Sequence, residues 1–345
     1  MSDASNYMKR CLELAEKGSG FVAPNPMVGC VIVHENQIIG EGYHQKYGEA
    51  HAEVNAIRSV VNPNLLQNST LYVNLEPCSH FGKTPPCSDL IIEKKIPHVV
   101  IGCVDSNSKV AGKGIEKLKS AGIKTEVGIL EKESLELNKR FFTFHEKKRP
   151  YIVLKWAKSA DGFMDIDRSK GEKGIRWITT PETKKITHQW RSDEAAIMVG
   201  WKTIANDNPE LTCREFQGKN PIRVIIDPYL RLDYSAYHVG DRSVKTIILT
   251  HKKAQGDSNL QFIQPNDFTV KDILKTLYQL EINSILIEGG KTTIENFIHE
   301  GTWDEARILT GEILFKSGAH SPTIKGKKIA EHFSGKDQIT ILQNA

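Results

Sequence analysis

Alternation constrains the fold of this chain more than any other feature. Across nearly all of its 345 residues, short apolar runs of strand length are separated by runs of helical spacing. That pattern specifies a layered α/β architecture. Apolar side chains at Met8, Cys11, Leu12 and Ala15 predict a helix over 7–17, ended by Gly18. Strands are expected at 27–33 and 37–42 around the turn His34-Glu35-Asn36, followed by a helix from near His51. Strand 70–75, a loop with two prolines, helix 88–95, strand 98–104, helix 115–120 and strand 124–129 follow. A charged helix over 131–148 runs into His145-Glu146-Lys147-Lys148-Arg149-Pro150, and the proline after the charge run marks a domain boundary. The alternation then resumes, with strands at 151–157, 195–200, 222–227, 246–250, 284–288 and 307–314 and helices at 181–191, 270–280 and 292–300. Two domains are expected, 1–148 and 149–345.

Composition narrows the function classes. The formal net charge is only +4, with both signs mixed along the chain, so the concentrated basic stripe of a nucleic-acid binder is missing. A phosphorylated small molecule suits such a mild excess. No apolar run approaches the ~20 residues of a membrane helix, and Met1–Asn6 is polar, without a basic segment leading into an apolar one. A cytoplasmic enzyme is expected. In that setting the six cysteines are not a disulfide framework. Cys11, Cys30 and Cys103 sit in apolar patterns and read as core.

Three short segments carry chemistry: His51-Ala52-Glu53, Glu76-Pro77-Cys78 and Pro85-Pro86-Cys87. One His and two Cys match a catalytic zinc, which keeps three protein ligands and an open position. Zinc lowers the pKa of a bound water to about 7. Glu53, two residues from His51, is close enough to shuttle protons without coordinating. The H-x-E…P-C order is that of zinc deaminases acting on bases, although here eight residues separate the two cysteines where two are usual. Two other readings fit the same residues: a structural zinc with His80 as fourth ligand, and two buried cysteines without metal.

In these motifs the chain resembles the bifunctional deaminase/reductase family of riboflavin biosynthesis. The resemblance rests on Pro24-Asn25-Pro26-Met27-Val28-Gly29, Gly40-Glu41-Gly42-Tyr43-His44, His51-Ala52-Glu53 and the whole stretch from Glu76 to Cys87, whose long insert is characteristic of that family. It implies a cytidine-deaminase-like α/β/α domain holding one zinc per chain on His51, Cys78 and Cys87, with Glu53 as proton shuttle. It also implies substrate contacts from Asn25 and His44, from Lys83 and Thr84 in the insert, and from Asp105 and Asn107. The last two survive in Asp105-Ser106-Asn107-Ser108, where the family has Asp-Pro-Asn-Pro. An Asn amide suits a pyrimidine edge because it both donates and accepts.

The second half says less by itself. No G-x-G-x-x-G follows a strand, so a Rossmann dinucleotide site is not supported. In Leu286-Ile287-Glu288-Gly289-Gly290-Lys291-Thr292-Thr293 an apolar strand ends in two glycines and opens a helix, which can receive a phosphate or be a mere turn. The resemblance continues through 154–162, Trp177-Ile178-Thr179, Val199-Gly200, Thr203 and 206–214. It implies a dihydrofolate-reductase-like α/β domain that binds NADPH, which carries the chemistry while the protein orients it. The implied coenzyme residues are Ala157, Trp177, Thr203, Asp207, Gly289, Gly290, Lys291, Thr292 and Thr293. Lys155 and Asp207 would position and polarise the substrate. Arg191 and Arg214 suit its phosphate, Leu211 lies in the matching loop, and Glu288 would hold sugar hydroxyls. Ile175 and Pro228 replace a small polar residue and a serine usual there, and the chain diverges most beyond Gly311. The implied reaction order is zinc-dependent deamination of a diaminopyrimidinone ribosylamino phosphate, then reduction of its ribosyl group to ribityl. The partner is thus a phosphorylated pyrimidine, with neither nucleic acid nor membrane, and the enzyme is a homo-oligomer, dimer or tetramer. Competing readings are a deaminase with a non-catalytic second domain, a nucleic-acid-editing deaminase and a purely structural zinc protein.

Overall fold

The computed structural model describes residues 3–81, 85–106 and 111–344. The chain forms two compact units, Met1–Lys148 and Arg149–Ala345. In the first, the elements run α1 (Asp3–Glu16), β1 (Gly29–His34), β2 (Gln37–Tyr43), α2 (Ala52–Ser59), β3 (Thr70–Leu75), α3 (Cys87–Glu93), β4 (His98–Cys103), α4 (Lys113–Ser120), β5 (Lys124–Val127), α5 (Glu131–Leu137) and α6 (Lys139–Lys147).

The first sheet has the order β2-β1-β3-β4-β5. β1 is antiparallel to β2 and β3, whereas β3, β4 and β5 run parallel. Side chains alternate across a strand, so the apolar runs of the central strands feed two cores. Cys30, Ile32, Leu71, Val73, Val99 and Ile101 pack with Ala52, Ala56, Ile91 and Leu118 of the three helices on one face. Val31, Val33, Tyr72 and Val100 pack with Met8, Cys11 and Leu14 of α1 on the other. The result is three layers, α/β/α. The helix expected over 131–148 is broken at Asn138, which leaves helical geometry at φ −103°, ψ 22°. Its side chain serves Met27 instead, accepting from the backbone N–H at 2.8 Å and donating to the carbonyl at 2.9 Å.

The second unit comprises β6 (Tyr151–Lys158), β7 (Phe163–Asp165), α7 (Pro181–Asp193), β8 (Ala196–Gly200), α8 (Trp201–Asp207), β9 (Ile222–Ile226), β10 (Thr246–Leu249), β11 (Leu260–Ile263), α9 (Val270–Gln279), β12 (Ser284–Gly289), α10 (Lys291–His299), β13 (Glu305–Thr310), β14 (Ala319–His320), β15 (Lys327–Ser334) and β16 (Asp337–Gln343). Its large sheet has the order β11-β10-β9-β8-β12-β6-β13-β16-β15, and β7 and β14 form a separate ribbon. From β11 to β13 every pairing is parallel, and the hairpin of β16 and β15 adds an antiparallel edge. One sheet face packs Ile152, Leu154, Met198, Val224, Ile285 and Ile287 against α9 and α10. On the other face Ile197, Val199, Ile225 and Ile248 meet Ile204, Leu211 and Tyr234. The strand expected over 307–314 stops at Thr310, because the chain turns away after Gly311 N–H donates to Lys158 at 3.0 Å.

Candidate active sites

In the first unit, parallel β3 and β4 end side by side, and the crevice outside such strand ends is where α/β sheets bind ligands. Glu76-Pro77-Cys78 follows β3 directly, His51 is the residue before α2, and Cys87 opens α3. Each putting its side chain at a strand-to-helix junction, the three meet. His51 Nδ1 lies 3.5 Å from Cys78 Sγ and 3.4 Å from Cys87 Sγ, and the three potential ligand atoms fall within 4.8 Å of one another. A tetrahedral zinc with bonds of about 2.3 Å to sulfur and about 2.0 Å to nitrogen sets N···S at roughly 3.5 Å. The soft donor set and the spacing therefore fit zinc. His80 is exposed and lies outside this group. Three ligands leave a position open, unlike a closed structural site.

Glu53 sits in the first turn of α2, only 3% exposed. Burial pushes its carboxyl pKa up, and the neighbouring Cys78 adds to the shift. That is the environment a proton shuttle needs. The Cys78 thiol is held well below its ordinary pKa, chiefly by its hydrogen bond with Cys87 and also by His51. The His44 ring packs edge-on against His51 at 5.4 Å. Burial lowers the His44 pKa. Its Nδ1 faces the Ala50 carbonyl at 3.1 Å, which assigns the proton there and leaves Nε2 to accept from Asn25 Nδ2 at 3.2 Å. Among the described residues the Asn25 carbonyl oxygen accepts no side-chain or backbone hydrogen bond, which leaves it to a ligand. Asp105 is buried beside the strand end. Lys83, Thr84 and Asn107 lie outside the described residues.

One functional residue has no assigned role in the sequence reading although it lies in a motif. Glu76 Oε2 accepts from Asp105 N–H at 3.2 Å and Gly112 N–H at 2.9 Å, while Oε1 accepts from Gly114 at 2.9 Å and Ile115 at 3.2 Å. The carboxylate thus ties the strand end bearing Cys78 to the loop bearing Asp105 and to the start of α4. Gly114 is required there, since a Cβ would lie 2.1 Å from the Pro77 carbonyl oxygen. Glu76→Ala strips four N–H groups of their acceptor, and hydrogen bonds to charged groups contribute about 1.5–3 kcal/mol each. The expected outcome is a first unit destabilised by at least ~3 kcal/mol. A chemical melt of the variant in which the first-unit transition does not shift would contradict this account.

In the second unit the site lies at the carboxyl ends of β8, β12 and β6. The β12–β8 register slips between Ile287 and Gly289, so Glu288 is released from the strict alternation of the strand. Glu288 accepts a two-point contact from Arg191 of α7, at 3.0 Å from Nε and 2.7 Å from Nη2. Arg191 Nη1 also donates to the Thr212 carbonyl at 3.0 Å. Lys155 of β6 places Nζ 3.9 Å from the same carboxylate. Burial alone would raise the Glu288 carboxyl, but the Arg191 and Lys155 charges outweigh it and hold the group at about 2. Burial lowers Lys155, and Glu288 offsets only part of that.

Beside this cluster, Gly289 and Gly290 lead into α10. Gly290 has φ +77°, which L side chains rarely adopt. A Cβ on Gly289 would come within 3.1 Å of Thr203 Oγ1. Thr203 therefore abuts the glycine pair, and Thr293 approaches Gly200. The loop opens a nine-residue helix, where free N–H groups favour phosphate. Of the other residues named from sequence, Ala157 is on β6 and Trp177 is 54% exposed, with Lys184 Nζ 4.7 Å above its ring. Asp207 belongs to a different network from Lys155: Arg168 Nη2 donates to it at 2.8 Å, and Arg168 also grips Asp165. Burial raises the Asp207 carboxyl. Leu211 is buried at φ +55°, and Arg214 pairs with Glu210 at 2.7 Å. Arg168 and Thr212 escaped the sequence reading. Arg168 stands in no motif, and Thr212 lies in the matching 206–214 stretch without a role of its own; only the fold brings them to their partners.

Residues 1–103 match the family model described as the zinc-binding region of cytidine and deoxycytidylate deaminases, and 150–332 match that of the RibD C-terminal domain. The riboflavin biosynthesis protein RibD of Aquifex aeolicus is 42% identical over 91% of this chain and 88% of its own. That of Escherichia coli is 34% identical over 91% and 89%. The crystal structure of a diaminohydroxyphosphoribosylaminopyrimidine deaminase/5-amino-6-(5-phosphoribosylamino)uracil reductase from Thermotoga maritima superposes with a TM-score of 0.90 at 36% identity, covering 99% of both chains. RibD of Acinetobacter baumannii does so with 0.91 at 31%, again over 99% of both. Similarity at this level through both units supports two activities over a non-catalytic second half or a nucleic-acid editor, and the chain belongs to the RibD family of bifunctional riboflavin biosynthesis deaminase/reductases.

Proposed function

We propose that the first unit hydrolyses the 2-amino group of 2,5-diamino-6-ribosylamino-4(3H)-pyrimidinone 5′-phosphate and that the second reduces the ribosyl group of the product to ribityl with NADPH. The observation that carries the first half is the convergence of His51, Cys78 and Cys87 with buried Glu53. His51, Cys78 and Cys87 would hold one zinc, which would supply a nucleophilic water at neutral pH. Glu53 takes a proton from the attacking water and passes it to the departing amine, so a C–O bond forms, a C–N bond breaks and ammonia leaves. The Asn25 amide pairs with the pyrimidine edge, and neutral His44 fixes that amide's orientation. Lys83 and Thr84 bind the ribosyl phosphate, and Asp105 and Asn107 are further substrate contacts.

In the second unit Gly289, Gly290, Lys291, Thr292 and Thr293 hold the coenzyme pyrophosphate, and Ala157, Trp177, Thr203 and Asp207 complete the coenzyme site. NADPH would supply the hydride, and the buried Lys155 ammonium is placed to hydrogen-bond the oxygen or nitrogen adjoining the opened sugar carbon and to give it the proton that completes the reduction. Glu288 is the counter-charge of Lys155 and a partner for sugar hydroxyls. Arg191, Arg214 and the Leu211 loop face the phosphate. Among the described residues no helix is long and apolar enough to cross a membrane. We take the enzyme to be a cytoplasmic homo-oligomer, dimer or tetramer.

A mass-resolved assay on zinc-loaded protein tests the whole reading. Amine-to-carbonyl exchange should occur without NADPH, and a further gain of two hydrogens only with it. Deamination with no subsequent reduction would remove the second half of the proposal.

A further inference from the structure

In the second unit one cation gathers two carboxylates and closes a loop. Arg168 lies in the segment between β7 and α7, with only 14% of its side chain exposed. Its Nε donates to Asp165 Oδ2 at 2.5 Å and its Nη2 to Asp165 Oδ1 at 3.0 Å. Nη2 also donates to Asp207 Oδ1 at 2.8 Å and to the Gly174 carbonyl at 3.3 Å, while Nη1 donates to the Glu172 carbonyl at 3.3 Å. The loop thus wraps around the guanidinium. It is tied to α8 a second time where Gly174 N–H donates to the Asn206 carbonyl at 2.7 Å. Trp177 follows three residues later.

We infer that Arg168 is a positioning residue for reduction: it fixes Asp207 as a carboxylate acceptor beside the coenzyme and fastens the loop that leads to Trp177. This rests on the proposal that Asp207 and Trp177 belong to the coenzyme site. α8 abuts the glycine pair through Thr203. Asp207 is four residues beyond Thr203, so it lies one turn further along the same face of that helix. Among the described residues Asp207 Oδ2 has no hydrogen-bond partner. Arg168 therefore holds one oxygen of the carboxylate and leaves the second for a donor on a bound molecule. Among the described residues the charged groups that face Asp207 are Arg168 and Asp165. Burial raises the Asp207 pKa, the Arg168 charge lowers it, and Asp165 raises it again. A single guanidinium between two carboxylates thus governs the pH at which the second ionises.

The pH profile of reduction, measured on the full chain with deaminated substrate and NADPH, tests this. A carboxylate acceptor gives kcat/KM an acidic limb: reduction is full above the Asp207 pKa and falls as pH drops through it. Arg168→Met removes the charge that lowers that pKa, so the limb should move to higher pH. Near neutrality kcat/KM should fall about 10- to 100-fold, the loss of one hydrogen bond between charged groups. Arg168→Lys keeps the charge and should return the limb most of the way. Asp165→Asn removes the competing carboxylate but keeps an acceptor for Arg168, so the limb should move the other way, to lower pH. Loosened packing does not produce opposite shifts from two substitutions at one contact. Deamination, followed in parallel, serves as the control for folding. A limb that stays in place in Arg168→Met, or that moves in the same direction in Arg168→Met and Asp165→Asn, reduces Arg168 to a fastener of the loop and overturns the inference. Should Arg168→Met fail to fold, Asp165→Asn still reads the sign of the shift. A wild type that reduces substrate without an acidic limb overturns the inference alone. One that does not reduce it at all removes the reductase reading as well.

Discussion

Glu53→Gln is expected to lower kcat for deamination by about 10²–10⁴-fold, the usual contribution of a positioned acid-base group, while zinc, fold and the reduction step are retained. The change is nearly isosteric and removes only the proton-carrying ability of the side chain. Glu53 is 3% exposed, and burial already works against its charged form, so a neutral amide costs the fold little. It is also not needed to complete the ligand set, since His51, Cys78 and Cys87 converge without it. Three measurements separate this from a structural role: metal content, the thermal transition, and reduction of separately supplied deaminated substrate with NADPH. A variant that loses zinc or unfolds would place Glu53 in the scaffold. One that deaminates at the wild-type rate would move the proton transfer to another group.

The metal site was legible because its chemistry is local. His51 and Glu53 are two residues apart, and Cys78 and Cys87 each follow a proline, so short motifs carry the reaction before any tertiary contact is known. The reductase cluster is the opposite case. Lys155, Arg191 and Glu288 come from β6, α7 and β12, and nothing in the sequence around Arg191 says that it will meet a carboxylate 97 residues away. Only the resemblance pointed to these residues, and it could not say that Lys155 and Arg191 share one counter-charge. Asp207 was paired with Lys155 in function, yet its described partner is Arg168. The fold divides similarly. Strands with two buried faces, such as β3 and β8, announce themselves as apolar runs. β15 does not, because nearly all its side chains are exposed and no alternation is imposed on them. The break at Asn138 was hidden for another reason: its cause is the distant backbone of Met27, and local helical periodicity takes no account of it.

Lys155→Met should lower kcat for reduction by about 10²–10³-fold, the loss seen when a donor aimed at developing charge is removed, and leave zinc-dependent deamination at its wild-type rate. Methionine keeps the unbranched stem but cannot donate. Glu288 does not become an orphan charge in the variant, since Arg191 holds it by two hydrogen bonds at 3.0 and 2.7 Å and is the larger of its two attractive partners. A buried unpaired carboxylate would make the effect one of stability; the retained pair makes it one of catalysis. The pH profile gives a second, independent readout. Burial lowers the Lys155 pKa, so the ammonium loses its proton at a lower pH than the ordinary lysine value of about 10.4. If that ammonium is the donor, reduction falls as pH rises through the lowered value, with full activity below it. In Lys155→Arg the residual activity should lose this alkaline limb, because a guanidinium stays protonated throughout. Should Lys155→Met reduce substrate at the wild-type rate, or should the wild-type limb persist unchanged in Lys155→Arg, the donor must be sought elsewhere in the pocket, and the Lys155–Glu288 pair becomes a purely architectural contact.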